Sequence, residues 1–186
     1  GDFDGAANAY ERAATGAAAA DAWFNAALSL AKAGKRLEAL KVYERLLARF
    51  PRHAKASFCW LQAAQGREAS GKLSEAAQAY ARVTADADRP AALLAAGRLR
   101  EKLRQPALAM GAYHALRSLR PAANAYRLRG LLRLGLLYEL EDKPLKAMPL
   151  YHEVLKLSAR GSTDFQAAVE RMQALSRDAM ARPVAR

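Results

Sequence analysis

Five pairs of the form Ala-x-x-x-Tyr recur along the chain, at Ala6/Tyr10, Ala39/Tyr43, Ala76/Tyr80, Ala109/Tyr113 and Ala147/Tyr151, and successive tyrosines lie 33, 37, 33 and 38 residues apart. A period of this length marks a repeat architecture, in which a single unit cannot bury its apolar face alone and stacks on its neighbours. The four-residue spacing puts Ala and Tyr on one face of a helix. Gly1, Gly34 and Gly71 stand five residues before the Ala, where a helix must stop and turn. Eleven residues upstream of that turn position lie Trp23 and Trp60, and in the later copies Leu93 and Leu131. Each unit therefore reads as two helices joined by a short turn.

Composition closes off the alternatives. Among 186 residues there are 46 Ala and 27 Leu but only five Val, three Thr and no Ile, too few β-branched side chains to furnish a sheet. A core this rich in Ala must rest on close helix approach and aromatic knobs. Cys59 is the single cysteine, so neither an internal disulfide nor a zinc cage is available. The sequence has no apolar run of the ~18 residues that a membrane span needs, and no basic-then-apolar leader opens it. It starts in mid-repeat, which leaves a removed signal or an upstream domain open.

With these residues in place, the chain resembles the tetratricopeptide repeat (TPR) family, whose signature sets Trp or Leu, Leu-Gly and Tyr on a first helix and Ala, an aromatic and Ala on a second. Leu131, Leu134-Gly135, Tyr138, Ala147 and Tyr151 carry the match most closely, followed by Trp23, Ala26-Ala27, Leu30, Gly34, Ala39, Tyr43 and Pro51. The resemblance implies an all-α solenoid of antiparallel helix pairs forming a right-handed superhelix. Small residues at Ala27, Ala64, Gly97 and Gly135 are expected where the first helix approaches the second. Departures are the Gly turn, which becomes Arg104 and Asp142, and the last small position of the second helix, which becomes Leu46, Val83, Leu116 and Val154. The longer intervals call for extended first helices or linkers around residues 54–70 and 122–140. Stretched repeats of this kind resemble those of bacterial envelope-assembly TPR proteins.

Residues 1–160 are expected to form the array, made of the second helix of one repeat (2–14) plus four full repeats. Thr163 with Gln166 reads as a capping box, and Phe165, Val169, Met172 and Leu175 form one apolar stripe. Residues 161–180 are thus expected to be a C-terminal capping helix, and 181–186 a disordered tail.

No catalytic, nucleotide or metal motif is present: there is no glycine-rich phosphate loop, His-Glu-x-x-His, Cys-x-x-Cys or nucleophile elbow. No enzyme activity, cofactor or metal is expected. His114 and His152 follow the repeat tyrosine on a solvated face, and Cys59 beside Trp60 reads as a buried small hydrophobe. The repeat tryptophans and tyrosines read as core.

Charge is the strongest pointer to function. The chain carries +12, with +3 on residues 1–93 and +9 on residues 94–186. Between Arg98 and Arg133 lie nine basic residues and one acid, Glu101. Mapped through the repeat, Arg98, Lys102, Arg129 and Arg133 fall on first-helix groove positions, as do Phe24, Phe58, Leu61, Leu94 and Leu132. Arg129 and Arg133 sit one turn apart, a spacing similar to that of the dicarboxylate-clamp TPR domains, although Leu61, Gln65 and Ala95 replace the other clamp residues. The expectation is a non-catalytic scaffold or adaptor that binds an acidic peptide or helix in a basic groove, within a bacterial multiprotein assembly in the periplasm, envelope or cytoplasm. The alternatives are a nucleic-acid-binding helical repeat, for which no repeating base-reading position is found, and a TPR domain of a larger secretion or polysaccharide-export subunit. The partner, the process and the oligomeric state are not written in the sequence.

Overall fold

The computed structural model describes residues 5, 9, 10, 12, 18–119 and 124–181. Among them are nine helices and no strand: α1 (Ala19–Lys32), α2 (Arg36–Arg49), α3 (Ala56–Ala69), α4 (Leu73–Ala81), α5 (Arg89–Lys102), α6 (Pro106–Ser118), α7 (Asn124–Leu140), α8 (Pro144–Leu157) and α9 (Thr163–Ala181). The helix expected over 2–14 lies outside the described residues except at positions 5, 9, 10 and 12, which are helical. Positions 182–186 of the expected tail also lie outside them. The chain divides into two compact units, Gly1–Ala92 and Leu93–Arg186, with the boundary inside α5.

In the first unit α1 packs on α2, α2 on α3, and α3 on α4. Its core is built on Ala26, Ala27, Val42, Tyr43, Leu46, Leu47, Cys59 and Ala63. The second unit buries Tyr113, Leu116, Leu131, Leu134, Leu150, Tyr151 and Val154, and Ala168 of α9 joins that core with Met172 and Leu175 packed against it. The terminal helix therefore packs on α8 and α7, through Ala168 and two of the four stripe residues.

The turn inside each helix pair has one construction. Gly34, Gly71, Arg104 and Asp142 all adopt positive φ, at +80°, +75°, +55° and +54°. Each donates its N–H to the carbonyl three residues back, and the next residue donates to the carbonyl five back, as in Lys35 to Leu30 and Gln105 to Arg100, both at 2.9 Å. This paired closure satisfies the last carbonyls of the first helix and demands one left-handed residue. Glycine adopts that conformation freely, whereas Arg104 and Asp142 hold it against the Cβ clash.

Glycine at the helix crossing is a steric requirement in the second unit. A Cβ on Gly97 would lie 2.3 Å from the Tyr113 ring, and one on Gly135 would lie 2.5 Å from the Tyr151 ring. The equivalent residues in the first unit, Ala27 and Ala64, are fully buried.

Two local expectations need correction. The helix of the third repeat ends at Ala81, so Val83, expected near its end, packs from the following turn and is still only 1 % exposed. The Ser57 hydroxyl accepts the N–H groups of Thr84 at 3.0 Å and Ala85 at 2.8 Å, which fixes the chain where the helix stops. At α9 the helix opens on Thr163, and Ser162 supplies the capping oxygen, accepting the Phe165 N–H at 3.3 Å. The long 37-residue interval is met outside α3, which has 14 residues, whereas the 38-residue interval coincides with a 17-residue α7.

Candidate partner-binding site

The tyrosine that defines the repeat is more than a knob. Tyr80 donates its hydroxyl proton to Glu68 at 2.8 Å, Tyr113 donates to Glu101, and Tyr151 to Glu139, each acid lying twelve residues before its tyrosine. All three acids stand near the C-terminus of a first helix, where the helix dipole disfavours a negative charge, so the tyrosine contact has to hold them there. In the second unit an arginine from a later helix completes each pair. Arg133 of α7 donates to Glu101 at 2.9 Å, and Arg171 of α9 donates to Glu139 through Nε at 3.1 Å and through Nη2. These Tyr–Glu–Arg triads tie three helices together through one carboxylate. Burial and the neighbouring carboxylate push Tyr113 and Tyr151 well above the ordinary tyrosine range, while Arg133 and Arg98 pull Tyr113 the other way. Sequence reasoning missed the triads, although the Glu at twelve residues before each tyrosine was available to find them.

The triads change the reading of the basic cluster. Arg133, expected as a partner-binding residue, is engaged with Glu101. Glu153 of α8, distant in sequence, reaches the same cluster and pairs with Arg117 at 2.8 Å and Arg127 at 2.5 Å. Arg100 donates to the Gln105 side chain at 2.6 Å. Among the described residues, Arg98, Lys102 and Arg129 are exposed and make no ion pair.

The apolar candidates divide in the same way. Leu94, expected to face a partner, is 6 % exposed and lies in the core of the second unit. Leu132 is half-buried against the same core. In the first unit, Phe24 and Leu61 are half-buried and Phe58 is 36 % exposed. Phe24 and Phe58 meet edge to face at 5.6 Å, Phe58 meets Tyr43 at 6.1 Å, and the Lys55 ammonium lies 5.9 Å from the Phe24 ring. Trp23 and Trp60 are half-buried, with the Arg45 and Arg82 guanidinium groups 5.8 and 4.6 Å from their rings.

Other titratable groups are structural in setting. Cys59 is fully buried and its thiol is pushed up to about 12 by desolvation, which keeps it from acting as a nucleophile near neutrality. His114 contacts the Tyr138 hydroxyl at 3.0 Å and is lowered from its ordinary range by burial and then by Arg117. Among the described residues no three His, Cys, Asp or Glu side chains come together as a metal site, and no helix is long and apolar enough to cross a membrane.

A family model described as tetratricopeptide repeat matches residues 20–53. No curated protein matches the chain in sequence. Among solved structures, the crystal structure of MamA protein is 18% identical with a TM-score of 0.56, over 83% of this chain and 82% of that one. The putative kinesin light chain nearly identical TPR-like repeats of Podosopora anserina are 17% identical with a TM-score of 0.50, over 87% and 89%. BtubC (BKLC) from P. vanneervenii is 16% identical with a TM-score of 0.50, over 99% and 92%. At such identities the likeness is one of fold, and that fold is the all-α helical-pair repeat.

Proposed function

We propose that this chain, a member of the tetratricopeptide repeat family, is a non-catalytic protein-interaction scaffold that takes an acidic segment of a partner on the first-helix face of its second unit. One observation carries the reading: Arg98, Lys102 and Arg129 stay exposed and without an ion pair, while Arg117, Arg127, Arg133 and Arg171 nearby are consumed by Glu153, Glu101 and Glu139. Exposed charge of one sign raises the local potential and steers oppositely charged partners. Leu132 supplies an apolar edge beside these cations, and Phe24, Phe58 and Leu61 supply a second, separate contact surface on the first unit. Arg133 belongs to the scaffold rather than to the contact. A place in a bacterial multiprotein assembly is part of the proposal and rests on the resemblance of the stretched repeats.

The test is a double charge reversal, Arg98→Glu with Arg129→Glu, which spares the triads. Binding of a fluorescent capped hexa-glutamate peptide, followed by anisotropy, is expected to fall at least ~10-fold, with helical content unchanged by circular dichroism. Raising the salt concentration should weaken the wild-type signal, because exposed charges are screened. Undiminished peptide binding by the double variant would exclude the assignment. Single-stranded RNA binding that outcompetes the peptide would favour the nucleic-acid reading instead.

A further inference from the structure

The first unit holds one repeat tyrosine that breaks the pattern. Tyr43 is 2 % exposed, and its hydroxyl is buried without a hydrogen-bond partner. Twelve residues before it stands Ala31, at the place of Glu68, Glu101 and Glu139. The arginine position is vacant too: Gln62 follows Trp60 by two residues as Arg133 follows Leu131. Ala31, Tyr43 and Gln62 line one open cleft of about 680 Å³, with Arg36, Gln65 and Ser70 around it. Ala31 and Gln62, at the two positions of the missing pair, thus share the wall of one cleft with Tyr43.

We infer that this cleft is a receptor for a carboxylate, supplied by a Glu or Asp side chain of a bound partner segment. The inference rests on the scaffold reading but concerns a different unit and different residues. The chemistry follows from the sister sites. A repeat tyrosine in this fold donates to a carboxylate wherever one stands twelve residues before it, so the Tyr43 hydroxyl is a donor lacking its acceptor. Among the described residues of the cleft wall, Arg36 is the only one of formal charge, and the Gln62 and Gln65 amides can add neutral donors. A carboxylate is therefore favoured there over an amide or an ammonium. With Ala31 where the sister sites carry glutamate, the acid comes from the ligand rather than the scaffold, and selection for acidic residues follows, because an uncharged side chain leaves the hydroxyl poorly satisfied.

The test reads Tyr43 directly, by NMR of protein labelled at tyrosine Cζ, with the Tyr43 resonance assigned by its loss in Tyr43→Phe. The probe is capped hexa-glutamate, and the control is capped hexa-glutamine. Hexa-glutamate is expected to move the Tyr43 resonance saturably toward those of Tyr113 and Tyr151, while hexa-glutamine leaves it in place. In Ala31→Glu the resonance should already lie there without peptide, and the affinity read at Tyr43 should drop at least ~10-fold. Gln62→Arg, which restores only the cation, should raise that affinity. A Tyr43 resonance unmoved up to ~10 mM peptide, an equal response to hexa-glutamine, or an unaltered response in Ala31→Glu would each overturn the inference. In the Arg98→Glu, Arg129→Glu protein the Tyr43 response should persist, so failure of the second-unit site and failure of this one are told apart.

Discussion

Tyr43 in the first unit and Tyr113 and Tyr151 in the second occupy one repeat position and are almost equally buried, yet their hydroxyls meet opposite fates. In the second unit each hydroxyl ends on a glutamate that an arginine then clamps. In the first unit Ala31 and Gln62 stand in for that pair, and a cleft opens where it would have been. Charge divides along the same line, with 13 basic and 10 acidic residues in the first unit against 17 and eight in the second. The comparison teaches that the repeat fold needs the tyrosine ring at this position but not its hydroxyl. The ring fills the space between helices, whereas the hydroxyl serves as an optional staple, used at Tyr80, Tyr113 and Tyr151 and left for a ligand at Tyr43.

The largest expected effect breaks the ring's packing. Gly97→Ala and Gly135→Ala should each destabilise the fold by about 1–3 kcal/mol, since the added methyl meets a ring held on both sides. Gly111→Ala, where a Cβ has nothing within 4 Å, is the matching control and should be neutral or stabilising. Urea denaturation of the three variants measures the difference.

A smaller effect separates the hydroxyls. Tyr113→Phe and Tyr151→Phe leave a part-buried glutamate without its donor and should cost about 1–3 kcal/mol, while Tyr43→Phe removes an unsatisfied group and should cost nothing. Equal losses at the three sites would remove the basis of the comparison. Alkaline pH sharpens it. Tyr43 is raised from 10.0 to about 12, chiefly by burial and then by Cys59, so its protonated form is favoured in the folded state. Its contribution is complete below pH 10 and is lost as pH rises toward 12, because the unfolded chain releases the proton first. Tyr43→Phe should therefore lessen the fall in melting temperature between those pH values.

The smallest effect concerns the turns. Arg104→Gly relieves a left-handed residue and should stabilise by about 1 kcal/mol, whereas Gly34→Ala should destabilise by a similar amount. Thermal melts of the pair are the check.

Much of this was legible beforehand. The tyrosine interval gave the helix pairs, and alignment placed Gly34, Gly71, Arg104 and Asp142 at one position, where all four adopt positive φ. On the last helix, Met172 and Leu175 of the stripe pack on the core, together with Ala168, which the stripe leaves out. The basic cluster was less legible, because Glu153 lies 20 residues beyond Arg133 along the chain and only folding brings it to Arg117 and Arg127. Leu94 could not be assigned from register alone, since whether a leucine beside the crossing faces inward depends on how closely the helices approach.

The sequence by itself determined the periodicity, the all-helical class, the turn positions and the small residues at each crossing, because these follow from spacing and backbone preference within one or two turns. Tertiary structure alone decided which charges are neutralised, which tyrosine hydroxyl is stapled and which is orphaned, and where a cleft remains. Those outcomes depend on side chains 12 to 36 residues apart meeting within a few ångströms, a separation over which local sequence carries no geometry.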